Sequence, residues 1–189
     1  MARPRSEDKR DAILAAAARV IAREGLGAAT AAIAKEARVS NGSFFTYFET
    51  KADLINALYI ELKSERARAA LEGIATSKSL ARKQSLQSWT NTLNWAVKNP
   101  DKRRALVHLG VSPDLTPATR QKGHVIMADV ARMIDQSRAN GPMENAPLEF
   151  VVGLMTAISD ATIEFMVRDK THAQKHCYAG FDAFWRMIA

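Results

Sequence analysis

The chain has 189 residues, 47% of them hydrophobic, with 27 Lys and Arg against 20 Asp and Glu, a formal charge of +7 and an isoelectric point near 9.8. That length holds one domain, or a small domain joined to a larger one with a substantial core. The charge suits a polyanionic partner, nucleic acid or an anionic membrane, without separating the two. The single cysteine, Cys177, excludes an intrachain disulfide and fits a reduced cytosol.

The charge is unevenly spread. Residues 1–63 hold 10 Lys and Arg against 8 Asp and Glu, while residues 64–140 hold 13 against 6, so charge alone does not mark the N-terminus as the binding end. Arg3 and Arg5 are followed by Glu7 and Asp8, and Arg19 and Arg23 interrupt the Ala-rich stretch. Neither a signal peptide nor a membrane span is expected, and the expected location is the cytoplasm.

Helical periods run almost throughout and no stretch alternates with period two, so the expected fold class is all-α. Ser6 has the character of an N-cap, with Glu7 and Asp8 in the first turn and Ile13, Ala17, Val20 and Ile21 along one face. Gly25 and Gly27 end that helix. A short helix over roughly 30–37 turns Ile33, Ala34 and Ala37 inward, and Val39-Ser40-Asn41-Gly42 is a tight break. A second short helix carries Phe44 and Phe48 on one face. Thr50 and Asp53 have capping-box spacing for a fourth helix running to about 72 through Leu54, Leu58 and Leu62.

Residues 73–79 read as a loop. A helix over about 80–98 presents Leu86, Trp89, Leu93 and Val97, and Asn99-Pro100 stops it. One over 101–110 follows. Thr116-Pro117 starts another, with the apolar row Ile126, Val130, Met133 and Ile134, which Gly141-Pro142 ends. Pro147 opens a long apolar helix, and a last helix over about 172–188 carries Tyr178, Phe181, Phe184, Trp185 and Ile188.

Two short helices joined by a tight turn and braced by a longer one have the outline of a helix-turn-helix. A helix that enters the major groove must be short, carry small or polar groups outward, and be held rigidly by apolar anchors. Ser40, Asn41, Ser43 and Thr46 supply the first kind of side chain, Phe44 and Phe48 the second, and Gly42 permits close approach of backbone.

The stretch from Ile33 to Phe48, IAKEARVSNGSFFTYF, with Lys51 and Leu54 after it, resembles the signature of the TetR family of transcriptional regulators. The match is gapless and covers roughly residues 8–56. It departs from the family's pattern at Arg38, which stands where a glycine is usual, at Phe45 for a tyrosine, at Ala29 for a capping hydroxyl, at Thr30 for an apolar residue, and at Ala31 for a long polar residue that helps read DNA; Tyr47 stands where the pattern has histidine or tyrosine.

The resemblance implies a fold and a function. A three-helix DNA-binding domain, residues 1–50, would precede a helical ligand-binding and dimerisation domain, residues 51–189, with helix 51–72 connecting them. Thr30, Ala31, Ser40, Asn41, Gly42, Ser43, Phe45, Thr46, Tyr47 and Lys51 would form the DNA-facing set, with Arg3 and Arg5 as a basic arm. The chain would dimerise through its last two helices, with Val152, Ile158, Phe165, Phe181, Phe184 and Trp185 as candidates. It would sit on a palindromic double-stranded operator, from which a small molecule bound near Trp89, Leu93, His108, Met127 and Met155 would release it. For each of those lining candidates, a place in the core or the dimer interface is an equal alternative.

Other motifs point less far. His172 and His176 lie four apart beside Cys177, a spacing that can hold a metal, but the glutamate of a metalloprotease helix and an obvious third ligand are missing, so ordinary surface or interface histidines are preferred. No P-loop, dinucleotide fingerprint or nucleophile elbow is present, and no cofactor is expected. A helical metalloenzyme and a basic membrane-associated protein are the rival readings. Neither accounts for residues 30–54.

Overall fold

The computed structural model describes residues 5–74 and 81–189, with side chains from residue 7 onward. The expected cap at Ser6, the arm at Arg3 and Arg5, and most of the expected loop over 73–79 lie outside the described side chains. Among the described residues there is no strand, and the fold is all-α. In chain order the helices are α1 (Arg5–Glu24), α2 (Thr30–Glu36), α3 (Asn41–Tyr47), α4 (Lys51–Leu71), α5 (Ala81–Lys98), α6 (Pro100–Gly110), α7 (Pro117–Ile126), α8 (Ala128–Ser137), α9 (Leu148–Arg168) and α10 (Ala173–Ile188).

By packing, the chain forms two compact units, each made of two segments. Residues 1–64 and 99–125 form unit 1, and residues 65–98 and 126–189 form unit 2. Helix α4 therefore contributes its first two-thirds to one unit and its last third to the other.

Unit 1 is built on α1. Its buried row of Ile13, Ala16, Ala17, Val20 and Ile21 mixes branched and small side chains, so α2 on one flank and α6 on the other both approach closely. Ile33, Phe44, Phe48, Leu54, Leu58 and Leu109 complete that core. Proline at the start of α6 has no N–H to lose there, as expected from Asn99-Pro100. Gly123 of α7 lies against Tyr59 of α4 so closely that a Cβ would come within 2.6 Å of the Tyr59 ring.

Asn56 of α4 ties down the segment between α6 and α7. Its side chain donates to the Asp114 carbonyl at 2.8 Å and accepts from the Thr116 N–H at 3.1 Å. Arg120 holds the same segment by donating to the carbonyls of Gly110 and Ser112.

Unit 2 packs α5, α8, α9 and α10 around Trp89, Leu93, Phe181, Phe184 and Ile188. The Trp89 indole N–H donates to the Cys177 carbonyl at 3.0 Å, and its ring stacks on Phe184 at 5.8 Å with 9° between planes. Gly180 lets α10 press against α9: a Cβ there would fall 2.2 Å from Thr162 Oγ1.

The structure corrects the expectations at two places. The single helix expected between Pro117 and Gly141 is two helices, broken at Met127, whose φ of −93° and ψ of 3° leave the helical region. Its two halves serve different cores, with Gly123 on Tyr59 in unit 1 and Val130 and Ile134 in unit 2. That tertiary demand outweighs a continuous apolar row. Helix α8 also ends early, at Ser137, where Arg138 turns its guanidinium onto the carbonyls of Met143, Glu144 and Ala146.

By length and composition α9 is apolar enough to cross a membrane, and 28% of its most apolar window is buried. Val151, Thr162, Ile163 and Met166 face the core, while Phe150, Ala157, Ala161, Phe165 and Val167 are exposed.

Candidate nucleic-acid interface and bundle cavity

Helix α3 owes its position to its two anchors and its cap. Phe44 and Phe48 are one turn apart and buried, and Arg10 of α1 lies over the Phe48 ring at 5.6 Å. Ser40 has extended backbone and its hydroxyl accepts from the Ser43 N–H at 3.1 Å, the geometry of an N-cap. With the anchors turned inward, Ser40, Asn41, Gly42, Phe45 and Thr46 are exposed, and Ser43 and Tyr47 half-buried. The Thr46 hydroxyl donates back to the Gly42 carbonyl at 3.0 Å, which leaves its oxygen and methyl facing outward. On α2, Ala31 is exposed and Thr30 half-buried; Ala29 precedes them in extended conformation and offers no side-chain cap.

The turn between α2 and α3 shows the cost of Arg38. Its φ is +57°, in the left-handed region. The Val39 N–H bonds the Ala34 carbonyl and the Arg38 N–H that of Lys35, which together close the helix end in the manner usually completed by glycine. Helix α2 is also tied to α1: Arg19 donates to Glu36 at 2.7 Å, and that hydrogen bond holds the Glu36 carboxyl below its ordinary range.

At the start of α4, Lys51 does not hang free. Its ammonium donates to the Leu26 carbonyl at 2.6 Å, leaving two of its three donors for another acceptor. Thr50 and Asp53 form the expected reciprocal cap.

Within unit 2 lies a cleft of about 530 Å³, counting the part open to solvent. Trp89, Leu93, Met127 and Met155 line it, together with Phe184. Its polar lining is Ser85, Ser88, Thr92, Ser159 and Arg66, the last from the C-terminal part of α4. Sequence reading missed Arg66 and the serines. Nothing in the periodicity marks which arginine or which serines line a cleft. His108 is not brought to this cleft. It lies on α6 in unit 1, with its ring about 4 Å from where a Cβ on Gly25 would stand.

The interface candidates divide. Phe165 is 51% exposed, and Val152, Ile158 and Trp185 are half-buried. Phe181 and Phe184 are 1% and 3% exposed and belong to the bundle's own interior, because α10 turns them onto Trp89. On the outer side of α10, Tyr178, Ala179 and Ala183 are exposed beside the outer side of α9.

The histidines share one carboxylate rather than converging on an open site. Asp169 accepts from His176 at 2.9 Å and from His172 at 3.0 Å, and these bonds hold its carboxyl below the ordinary value. The Cys177 sulfur is turned away from them toward Thr90, and burial pushes its thiol up. Among the described residues no group of three His, Cys, Asp or Glu is placed to hold a metal.

Residues 13–58 match the family model of the bacterial regulatory proteins, tetR family. Over nearly the whole length the fold is similar to solved structures. A tetR-family protein of Shewanella sp. PV-4 is 28% identical, with 96% of this chain and 98% of that one covered at a TM-score of 0.82. A TetR-family transcription regulator of Marinobacter aquaeolei VT8 is 22% identical, with 100% and 99% covered at 0.86. One from Haemophilus influenzae is 20% identical, with 98% and 99% covered at 0.76.

Proposed function

We propose that this chain, whose residues 13–58 match the tetR family model, is a DNA-binding transcription regulator that acts in the cytoplasm as a homodimeric repressor, released from a palindromic operator by a small molecule bound in unit 2. The observation that carries this reading is the course of α4. One helix begins at the reading head with Lys51 and ends at the cleft with Arg66. A ligand that favours one position of that helix shifts the occupancy of DNA, to the extent that it binds the two states with different affinity.

Ser40, Asn41, Ser43, Thr46 and Tyr47 face the major groove in this reading. The exposed Phe45 ring offers an apolar contact of the kind a thymine methyl accepts. Lys51 and the first amides of α4 hold a phosphate. Supporting the dimer are the exposed apolar residues along α9 and α10, which a monomer leaves in water. A two-fold pair of α3 helices would then read half-sites about 34–36 Å apart.

The test is selection from random duplexes at moderate salt, beside an Asn41→Ala/Tyr47→Ala variant. One enriched palindrome, lost in the variant, is expected. Binding without sequence preference, unchanged in the variant, overturns the operator reading. Release of the selected duplex on titrating small molecules then tests the repressor part.

A further inference from the structure

The lining of the cleft in unit 2 bears on what it can hold. We infer that it takes a flat, largely apolar molecule with one hydrogen-bond acceptor oxygen: the body lies against Trp89 and Phe184, and the oxygen accepts from the Ser88 hydroxyl. This rests on the reading of the cleft as the effector site and names the class of effector.

Three features of the lining support it. The first is a hydroxyl without a partner. Ser88 lines the cleft at only 6% exposure, and among the described residues its hydroxyl makes no hydrogen bond. A polar group withdrawn from water and left unpaired is costly, and a ligand oxygen that accepts from it recovers that cost.

The second is that the other hydroxyl protons are committed. The Thr92 hydroxyl donates to the Ser88 carbonyl and the Ser159 hydroxyl to the Met155 carbonyl, both at 2.8 Å. Ser137 donates to the Met133 carbonyl at 2.8 Å, which leaves Ser85 as the donor in its 3.1 Å pair with Ser137. The Trp89 indole N–H is likewise spent on the Cys177 carbonyl. Arg66 has an interaction of its own within the protein and is assigned no part in holding the ligand. A molecule with one acceptor is met at Ser88. One with several finds no second free hydroxyl proton among the described residues of the lining.

The third is shape. Trp89 is fixed by its bond to the Cys177 carbonyl and stacked on Phe184, which makes a flat and rigid wall. Ser88 precedes Trp89 directly on α5, so the free hydroxyl belongs to the same stretch of helix as the wall. Met127, Met133 and Met155 line other parts of the cleft, and their unbranched chains repack around an apolar body. Rigid aromatic on one side and adaptable thioether on the other suit a planar ligand of variable outline.

Two uncharged fluorescent probes test this. 6-Propionyl-2-dimethylaminonaphthalene carries a ketone on a flat two-ring body, and N-phenyl-1-naphthylamine has the same ring core without an oxygen. Fluorescence titration of the full chain should show both binding. Ser88→Ala should weaken the ketone about three- to tenfold and leave the amine within about twofold. The ketone's emission, which lies further to the red when its carbonyl accepts a hydrogen bond, should move to the blue in the same variant. Met133→Trp, which fills the cleft from a half-buried position, should weaken both probes, with circular dichroism confirming that each variant is folded.

If Ser88→Ala changes neither the ketone's affinity nor its emission while Met133→Trp weakens both probes, the assignment of the acceptor to Ser88 falls and the cleft stands as a ligand site. If Met133→Trp leaves both probes unaffected, they bind elsewhere, and the cleft fails as a ligand site together with the inference. Failure of both probes to bind the unaltered chain has the same consequence.

Discussion

Thr50 and Asp53 cap each other. One carboxylate oxygen of Asp53 accepts from the Thr50 N–H at 2.9 Å and from its hydroxyl at 2.7 Å, and the Thr50 hydroxyl accepts from the Asp53 N–H at 3.1 Å. This ring of bonds starts α4 next to Lys51 and fixes where the ammonium sits. Thr50→Ala should cost about 1 kcal/mol of stability. It should also loosen Lys51 and weaken DNA binding on all sequences alike. A thermal melt and binding to matched and scrambled duplexes check this, and loss on one sequence only would assign Thr50 to base reading instead.

Arg38 holds a left-handed conformation that glycine adopts freely. Arg38→Gly should therefore raise stability by about 1 kcal/mol, measured by urea unfolding. If the exposed guanidinium meets a phosphate, the same change weakens DNA binding and lowers the salt slope by about one. Stability that stays flat or falls would show that the side chain outweighs its backbone cost.

Gly180 and Thr162 set the approach of α9 and α10. Gly180→Ala places a methyl 2.2 Å from Thr162 Oγ1 and should destabilise by about 1–3 kcal/mol. Adding Thr162→Ala should restore part of the loss, because it removes the opposing atoms. A double-mutant cycle with no coupling between the two sites would contradict this packing.

Asp169 adds a pH term. Its carboxyl titrates below the ordinary value because His176 and His172 hydrogen-bond to it. In the unfolded chain the carboxyl takes up its proton at higher pH than in the fold. The contribution is therefore complete above the ordinary carboxylate value and is lost as pH falls through the lowered one. Asp169→Asn should flatten stability against pH in that acid window. The group is exposed, so the effect is small, and NMR titration of the carboxyl reads it directly.

The outline of the reading head was legible because the signals that start and anchor its short helices are local. Anchors at Phe44 and Phe48 and the Thr50–Asp53 pair lie within ten residues, and the structure places them as their spacing predicts; the cap at Ser40 emerged only with the structure. What was not legible depends on distant neighbours. The break at Met127 lies in an unbroken apolar row. Phe165 and Phe181 look alike as sequence, yet one faces out and the other in, since periodicity marks an apolar face without saying what covers it. Asn56 reads as an ordinary helix residue, and only the fold brings Asp114 and Thr116 to it.

The interleaving of the two units has a consequence for synthesis. The core around α1 includes Ala105, Leu109 and Leu115, contributed after the chain has already laid down α5 in the other unit. On the ribosome the first fifty residues emerge without the side chains that close their interior. The reading head is therefore finished late, once α6 and the segment after it have been made. A fragment cut after α3 or within α4 should remain loosely packed, and a minimal head that folds would be a grafted one, joining residues 5–64 to 99–125 across a new linker.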